Sequence, residues 1–138
     1  MRRPTSAKPR KQRKFLHIVP LHLKRKILSS HLTKELRERF KRRALPLRKG
    51  DEVQVMRGKF KGKTGKIARV NYKNYRVYID GITRKRTVGT EAQVGVHPSK
   101  IRIINLNLDD KRRQKILERK GVKVTTETIE KTGNVQKV

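Results

Sequence analysis

The run Asp51-Glu52-Val53-Gln54-Val55-Met56-Arg57-Gly58-Lys59-Phe60-Lys61-Gly62-Lys63-Thr64-Gly65-Lys66-Ile67 constrains the fold of this chain more than any other stretch. Polar and apolar residues alternate up to Val55, which puts Val53 and Val55 on one face of a half-buried strand. Glycines at 58, 62 and 65 then interleave with basic residues at 57, 59, 61, 63 and 66, and β structure resumes at Ile67. Glycine lets a backbone turn through positive φ and lie close to a ligand, while lysine neutralises phosphate. A strand pair with such a tip suits the backbone of a nucleic acid.

The charge of the whole chain points the same way. Lys and Arg number 40 against 11 Asp and Glu, a net +29 on 138 residues. Self-repulsion of that size opposes a compact state unless a polyanion cancels it. An anionic membrane fits less well than nucleic acid. No segment approaches the apolar run needed to span one, and no N-terminal stretch resembles a signal peptide. The absence of cysteine excludes disulfides and thiolate metal sites, and the four histidines (His17, His22, His31, His97) lack a metal-binding spacing. Neither a metal nor a cofactor is therefore expected. With 33% apolar and 4% aromatic residues, the chain can build one small core, and parts of it should lie outside.

The chain divides into five parts. Residues 1 to 18 form a basic arm, whose first fourteen residues hold seven Lys/Arg and no acid; this stretch should be disordered when free. Residues 19 to 45 form a helical extension. Leu21, Leu23, Ile27 and Leu28 make an apolar stripe that Ser29-Ser30 interrupts. Thr33 can cap a second helix, Lys34 to Phe40, in which Leu36 and Phe40 are spaced i, i+4. Ala44-Leu45-Pro46-Leu47 is an extended link.

Residues 46 to 106 carry the strands: the one before the glycine loop, then Ile67 to Tyr72, Tyr75 to Ile79, and Lys100 to Ile104. Lys73-Asn74 makes a tight connection and Asp80-Gly81 a turn. Ile67 and Val70 are out of phase, so a bulge falls near Ala68-Arg69. Residues 83 to 95 read as a long polar excursion. Short strands at this spacing suggest a small closed or partly closed barrel of about 55 residues. Residues 107 to 121 form a C-terminal helix, with Asp109-Asp110 at its positive end and Gly121 as its stop. Residues 122 to 138 are a polar tail.

The candidate RNA-binding residues follow from charge and position: Arg10, Lys11, Arg13 and Lys14 in the arm, Arg25 and Lys26 in the first helix, Arg48 and Lys49 at the barrel entrance, Arg57, Gly58, Lys59, Lys61, Gly62, Lys63 and Lys66 around the loop, Lys100, and Arg112 and Arg113 in the last helix. At Gly62 a turn-required positive φ and a close phosphate both remain open. Tyr72, Tyr75 and Tyr78 invite base stacking, but packing is the commoner use of such residues. His97 before Pro98 reads as the partner in a local hydrogen bond. No catalytic constellation emerges. Asp51 and Glu52 point to opposite faces of a strand, and nothing places a base beside a nucleophile, so the chain is not expected to be an enzyme.

Lys49-Gly50-Asp51-Glu52-Val53, with Gly58, Lys61-Gly62, Gly65 and Ile67, resembles the KOW motif of SH3-like barrel domains in ribosomal proteins and transcription elongation factors. The flanks resemble the large-subunit ribosomal protein twenty-six family, the eukaryotic and archaeal branch of universal large-subunit protein twenty-four. They are Leu28-Ser29-Ser30-His31-Leu32-Thr33-Lys34-Glu35-Leu36-Arg37, Arg43-Ala44-Leu45-Pro46-Leu47-Arg48, Val96-His97-Pro98-Ser99-Lys100-Ile101 and Leu108-Asp109-Asp110-Lys111-Arg112.

The resemblance implies a mainly β fold, a small SH3-like barrel with a basic arm, short helices and a C-terminal helix. It further implies a structural constituent of the large ribosomal subunit that binds large-subunit rRNA near the polypeptide exit tunnel and acts in assembly. Its partners would be rRNA and neighbouring large-subunit proteins, with neither membrane nor small-molecule substrate, as a monomer within the ribosome. The location would be cytoplasmic, with nuclear or nucleolar passage if the source is eukaryotic. A KOW-type elongation factor and an architectural nucleic-acid-binding protein stand as alternatives.

Overall fold

The structure is a computed structural model that describes residues 4–119. The expected tail and the Gly121 helix stop lie outside the described residues. The elements of the described residues run α1 (Pro9–Ile18), α2 (Leu21–Ile27), β1 (Ser29–Leu32), α3 (Lys34–Phe40), β2 (Ala44–Pro46), β3 (Glu52–Val55), β4 (Thr64–Asn71), β5 (Arg76–Lys85), β6 (Glu91–Val96), β7 (Ile101–Asn105) and α4 (Lys111–Glu118), with a 3-10 turn at Pro98–Lys100.

Seven strands form one sheet in the order β2-β1-β7-β3-β4-β5-β6. Every pairing is antiparallel except that of β1 with β7. The edge strands β2 and β6 do not meet, so the sheet stays open. One apolar cluster nevertheless reaches from Leu45 on β2 to Val96 on β6, and the mainly β, barrel-like architecture holds without closure.

Strand β3 shows why the alternation is readable. Val53 and Val55 are buried, while Glu52 and Gln54 are half-exposed. The expected bulge in β4 is present: its register against β5 shifts between Ile67 and Arg69. Strand β5 departs from expectation. Asp80-Gly81 is not a turn but lies within the strand, where Gly81 takes φ 78°. Val77 and Ile79 are buried on one parity and Ile82 on the other, so the irregularity there moves the buried set by one residue. Beyond Ile82 the chain is not a loose excursion. Residues 83–85 pair with 91–93 as the outer half of a β5–β6 hairpin. Alternating apolar residues are missing there because this half stands off the core, with Val88 at its tip 83% exposed.

Two further corrections share a cause, namely that tertiary pairing overrides weak local signals. Ser29-Ser30 belongs to β1, and Ser30 Oγ donates to the Ile101 carbonyl. Ala44 to Pro46 is an edge strand rather than a bare link, as a proline at an edge permits. The arm is helical from Pro9, with proline at the first helical position. Its helix is tied down by Val19, which is buried, and by Tyr75 Oη donating to the Leu16 carbonyl at 2.8 Å. In α3, Leu36 and Phe40 are buried as their spacing requires. Thr33 occupies the N-cap, but its side chain makes no capping bond; its N–H donates instead to Ile103, 3.1 Å away.

The C-terminal helix is fixed by a buried ion pair. Asp51 is fully buried, and Arg113 on α4 is 2% exposed. The Arg113 guanidinium donates to both Asp51 oxygens, to the Asn107 carbonyl at 2.8 Å and to the Pro46 carbonyl at 3.3 Å. Asp51 also accepts from the N–H groups of Arg48 and Asn107, 2.9 and 3.1 Å away. Arg113 is thus a framework residue, and its inclusion among the RNA contacts is overturned: a buried guanidinium engaged on both sides cannot meet phosphate.

Removing one member of such a pair leaves a buried charge uncompensated. Arg113→Met should therefore lower unfolding free energy by about 3–5 kcal/mol, against under about 0.5 kcal/mol for Arg112→Gln on the exposed face. Denaturant titrations of the two variants check this.

Candidate nucleic-acid interface

The loop between β3 and β4 spans residues 56–63 and is held by its own backbone. Val55 N–H donates to the Lys63 carbonyl at 2.9 Å, and Gly62 N–H donates to the Val55 carbonyl at 2.8 Å. Within it, the Lys61 N–H donates to Gly58 at 3.0 Å and the Lys63 N–H to Phe60 at 3.2 Å. Met56 N–H reaches the Lys100 carbonyl at 2.7 Å, which ties the loop to the 3-10 turn and brings Lys100 to its base. On this frame Arg57, Lys59, Lys61 and Lys63 are all exposed, and the loop carries no acid.

Gly58 and Gly62 take φ of 95° and 89°, where a side chain is strained, yet a Cβ at either would meet no neighbour. The positive φ of Gly62 agrees with the turn reading of that glycine, and its N–H is already bonded inside the loop. Gly65 is different again. It lies within β4 rather than in the loop, and a Cβ there would sit 2.6 Å from the Asp80 carbonyl oxygen, so it is required for close packing of β4 on β5.

The remaining candidates are exposed and fall on other parts of the fold. Lys66 follows the loop on β4, opposite Glu52. Arg10, Lys11, Arg13 and Lys14 lie on α1, and Arg25 and Lys26 on α2. Lys49 precedes β3, Arg48 is ion-paired with Asp110, and Arg112 lies on the first turn of α4. Asp110 caps α4 by accepting from the Arg112 N–H at 2.8 Å. That bond first, and the nearby Arg48 charge, hold its carboxyl below the usual range.

The tyrosines serve packing. Tyr72 and Tyr75 lean on the core, and each of the three rings has a cation over it: Arg25 at 5.8 Å from Tyr72, Lys24 at 5.6 Å from Tyr75 and Arg69 at 4.9 Å from Tyr78. His97 makes the local bond expected of it. Its Nδ1 lies 2.8 Å from Ser99 Oγ and accepts from Ser99 N–H at 3.3 Å. Desolvation first, then Arg76 and Lys100, depress its pKa and favour the neutral ring that can accept.

Sequence reasoning missed Phe60 and the cations Arg84, Lys85 and Arg86. The first is a lone aromatic within a charge run, and the others lie in a stretch that reads as irregular. Alternating Thr/Arg/Lys residues around the Thr87-Val88-Gly89 turn were the available signal of a hairpin.

Comparison with known proteins decides the family. The family described as ribosomal proteins L26 of eukaryotes and L24 of archaea matches residues 6–120. The chain belongs to that family. It is also 47% identical over 119 residues to the large ribosomal subunit protein uL24 of Korarchaeum cryptofilum (strain OPF8), covering 86% of this chain and 91% of the relative. Membership makes this uL24-family chain a structural ribosomal protein, and the match extends over α1, so the helical part of the basic arm belongs to the family pattern.

Gly62→Val separates loop geometry from charge. Forcing a β-branched residue to φ near 89° should cost about 1–3 kcal/mol and lower the melting temperature of the free protein. Lys63→Gln should leave the melt unchanged and weaken RNA binding only modestly. Equal melts for Gly62→Val and wild type would show that the loop relaxes without positive φ.

Proposed function

We propose that this protein binds and stabilises large-subunit rRNA near the polypeptide exit tunnel, among neighbouring large-subunit proteins, and acts while the subunit assembles. The loop over 56–63 carries the reading. Its backbone bonds hold four exposed cations on a rigid tip, and rigid presentation lets charge meet a fixed phosphate track without first ordering the loop. The mechanism is charge neutralisation and shape-fitting. Arg10, Lys11, Arg13, Lys14, Arg25, Lys26, Arg48, Lys49, Lys66, Lys100 and Arg112 extend the contact to the helices and the loop base, and Gly58 and Gly62 shape the tip. Arg113 drops out. No step of bond making or breaking enters this role, and its site of action is the cytoplasmic ribosome.

Binding to a large-subunit rRNA fragment should weaken steeply as salt rises, because each neutralised phosphate releases counterion. With six or more phosphates engaged, log K against log salt should fall with a slope of about −4 or steeper. Structured RNA should also outcompete duplex DNA at matched salt. A nearly flat slope, or a preference for duplex DNA, would contradict the proposal.

A further inference from the structure

The β3–β4 loop and the β5–β6 hairpin enclose a cleft of about 600 Å³, within the roughly 300–1,000 Å³ typical of ligand sites. Its walls combine two chemistries. Phe60, Ala92 and Val94 supply an apolar surface, Lys59 and Arg84 supply positive charge, and no carboxylate among the described residues lines it. The register of the hairpin explains the combination. Arg84 pairs directly with Ala92, and Val94 follows two residues on, so the three share one face. Phe60 and Val94 pack on the core yet remain half-exposed, so the apolar wall is anchored from behind. Lys63 Nζ stands 5.6 Å from the Phe60 ring centroid and adds positive potential there.

A duplex backbone would require only the exposed cations. An aromatic and aliphatic wall beside them suits a ligand that is flat and apolar at one end and anionic at the other. We propose that the cleft receives one unpaired nucleotide of an RNA strand, with its base against Phe60, Ala92 and Val94 and its phosphate toward Lys59 and Arg84. The inference rests on the RNA-binding reading above and adds to it a preference for unstacked bases, since a paired base cannot leave its helix to enter. Packing of a base on an aromatic side chain is tolerant of sequence, so the cleft selects single-strandedness rather than a particular base.

The test compares the full chain's affinity for a single-stranded RNA oligonucleotide and for an abasic oligonucleotide of equal length and charge, at one salt concentration. The base-bearing strand should bind between about fivefold and a hundredfold more tightly, the range that base–aromatic packing supplies. Phe60→Leu, which keeps an apolar side chain but removes the ring, should shrink that ratio while sparing affinity for the abasic strand. Ala92→Leu should do the same by filling the cleft from the hairpin side. Equal binding of the two strands by wild type overturns the cleft, and so does a ratio that survives in both variants. In either case retained binding to an rRNA fragment leaves the broader reading standing. Loss of affinity for rRNA fragment and oligonucleotides alike in wild type would remove both.

Discussion

The carboxylate of Asp51 is the point at which three stretches of chain meet. It accepts from Arg48 ahead of β3, from Asn107 after β7 and from Arg113 on α4, and that arginine reaches onward to the Pro46 carbonyl. Neither ion of such a pair contributes much net stability, because desolvation offsets their attraction. What the pair supplies is placement. The segments that converge there are short and polar, and apolar burial alone gives them no unique position. With both partners buried and bonded, α4 and the β2–β3 link have one arrangement, and the strand that leads into the basic loop starts from a fixed point.

That placement matters because the rest of the chain repels itself. The chain carries forty basic residues, and its described part has a single core drawn mainly from aliphatic side chains of the sheet and from Leu36, Phe40 and Leu117 of the helices. Cations among the described residues are accommodated in several ways. Arg113 is neutralised inside, Arg48 is paired with Asp110 at the start of α4, and Lys24, Arg25, Lys63 and Arg69 stand over aromatic rings. The loop and hairpin cations Lys59, Lys61, Arg84 and Arg86 remain exposed on backbone held by its own hydrogen bonding, and a polyanion there would relieve repulsion.

The parts of this arrangement that could be read in the sequence were those set by local periodicity. Alternation gave β3, the i, i+4 pair Leu36 and Phe40 gave α3, and the phase break between Ile67 and Val70 gave the β4 bulge. The motif around Gly58 and Gly62 gave the loop and, with its flanks, the family. What escaped was set by pairing across the chain. Ser29 and Ser30 have no strand propensity of their own and become a strand only between β2 and β7. Asp80-Gly81 carries turn residues but lies within β5, at the register shift between Tyr78 and Thr83. Arg113 looks like any other arginine in a basic helix, and only its i, i+4 companion Leu117 shows that its face turns inward. Phe60 was visible throughout, yet its use depends on a hairpin wall that lies far along the chain, from Thr83 to Gly95.

In the proposed role the loop and the hairpin beside it present the cations that engage RNA, while the buried pair only holds the frame. Amine-reactive footprinting of the protein free and bound to large-subunit rRNA tests it residue by residue. Lys59, Lys61, Lys63 and Lys85 should lose reactivity in the complex while Lys34 at the start of α3 keeps it. Loop and hairpin lysines that remain as reactive in the bound protein as in the free one would contradict it.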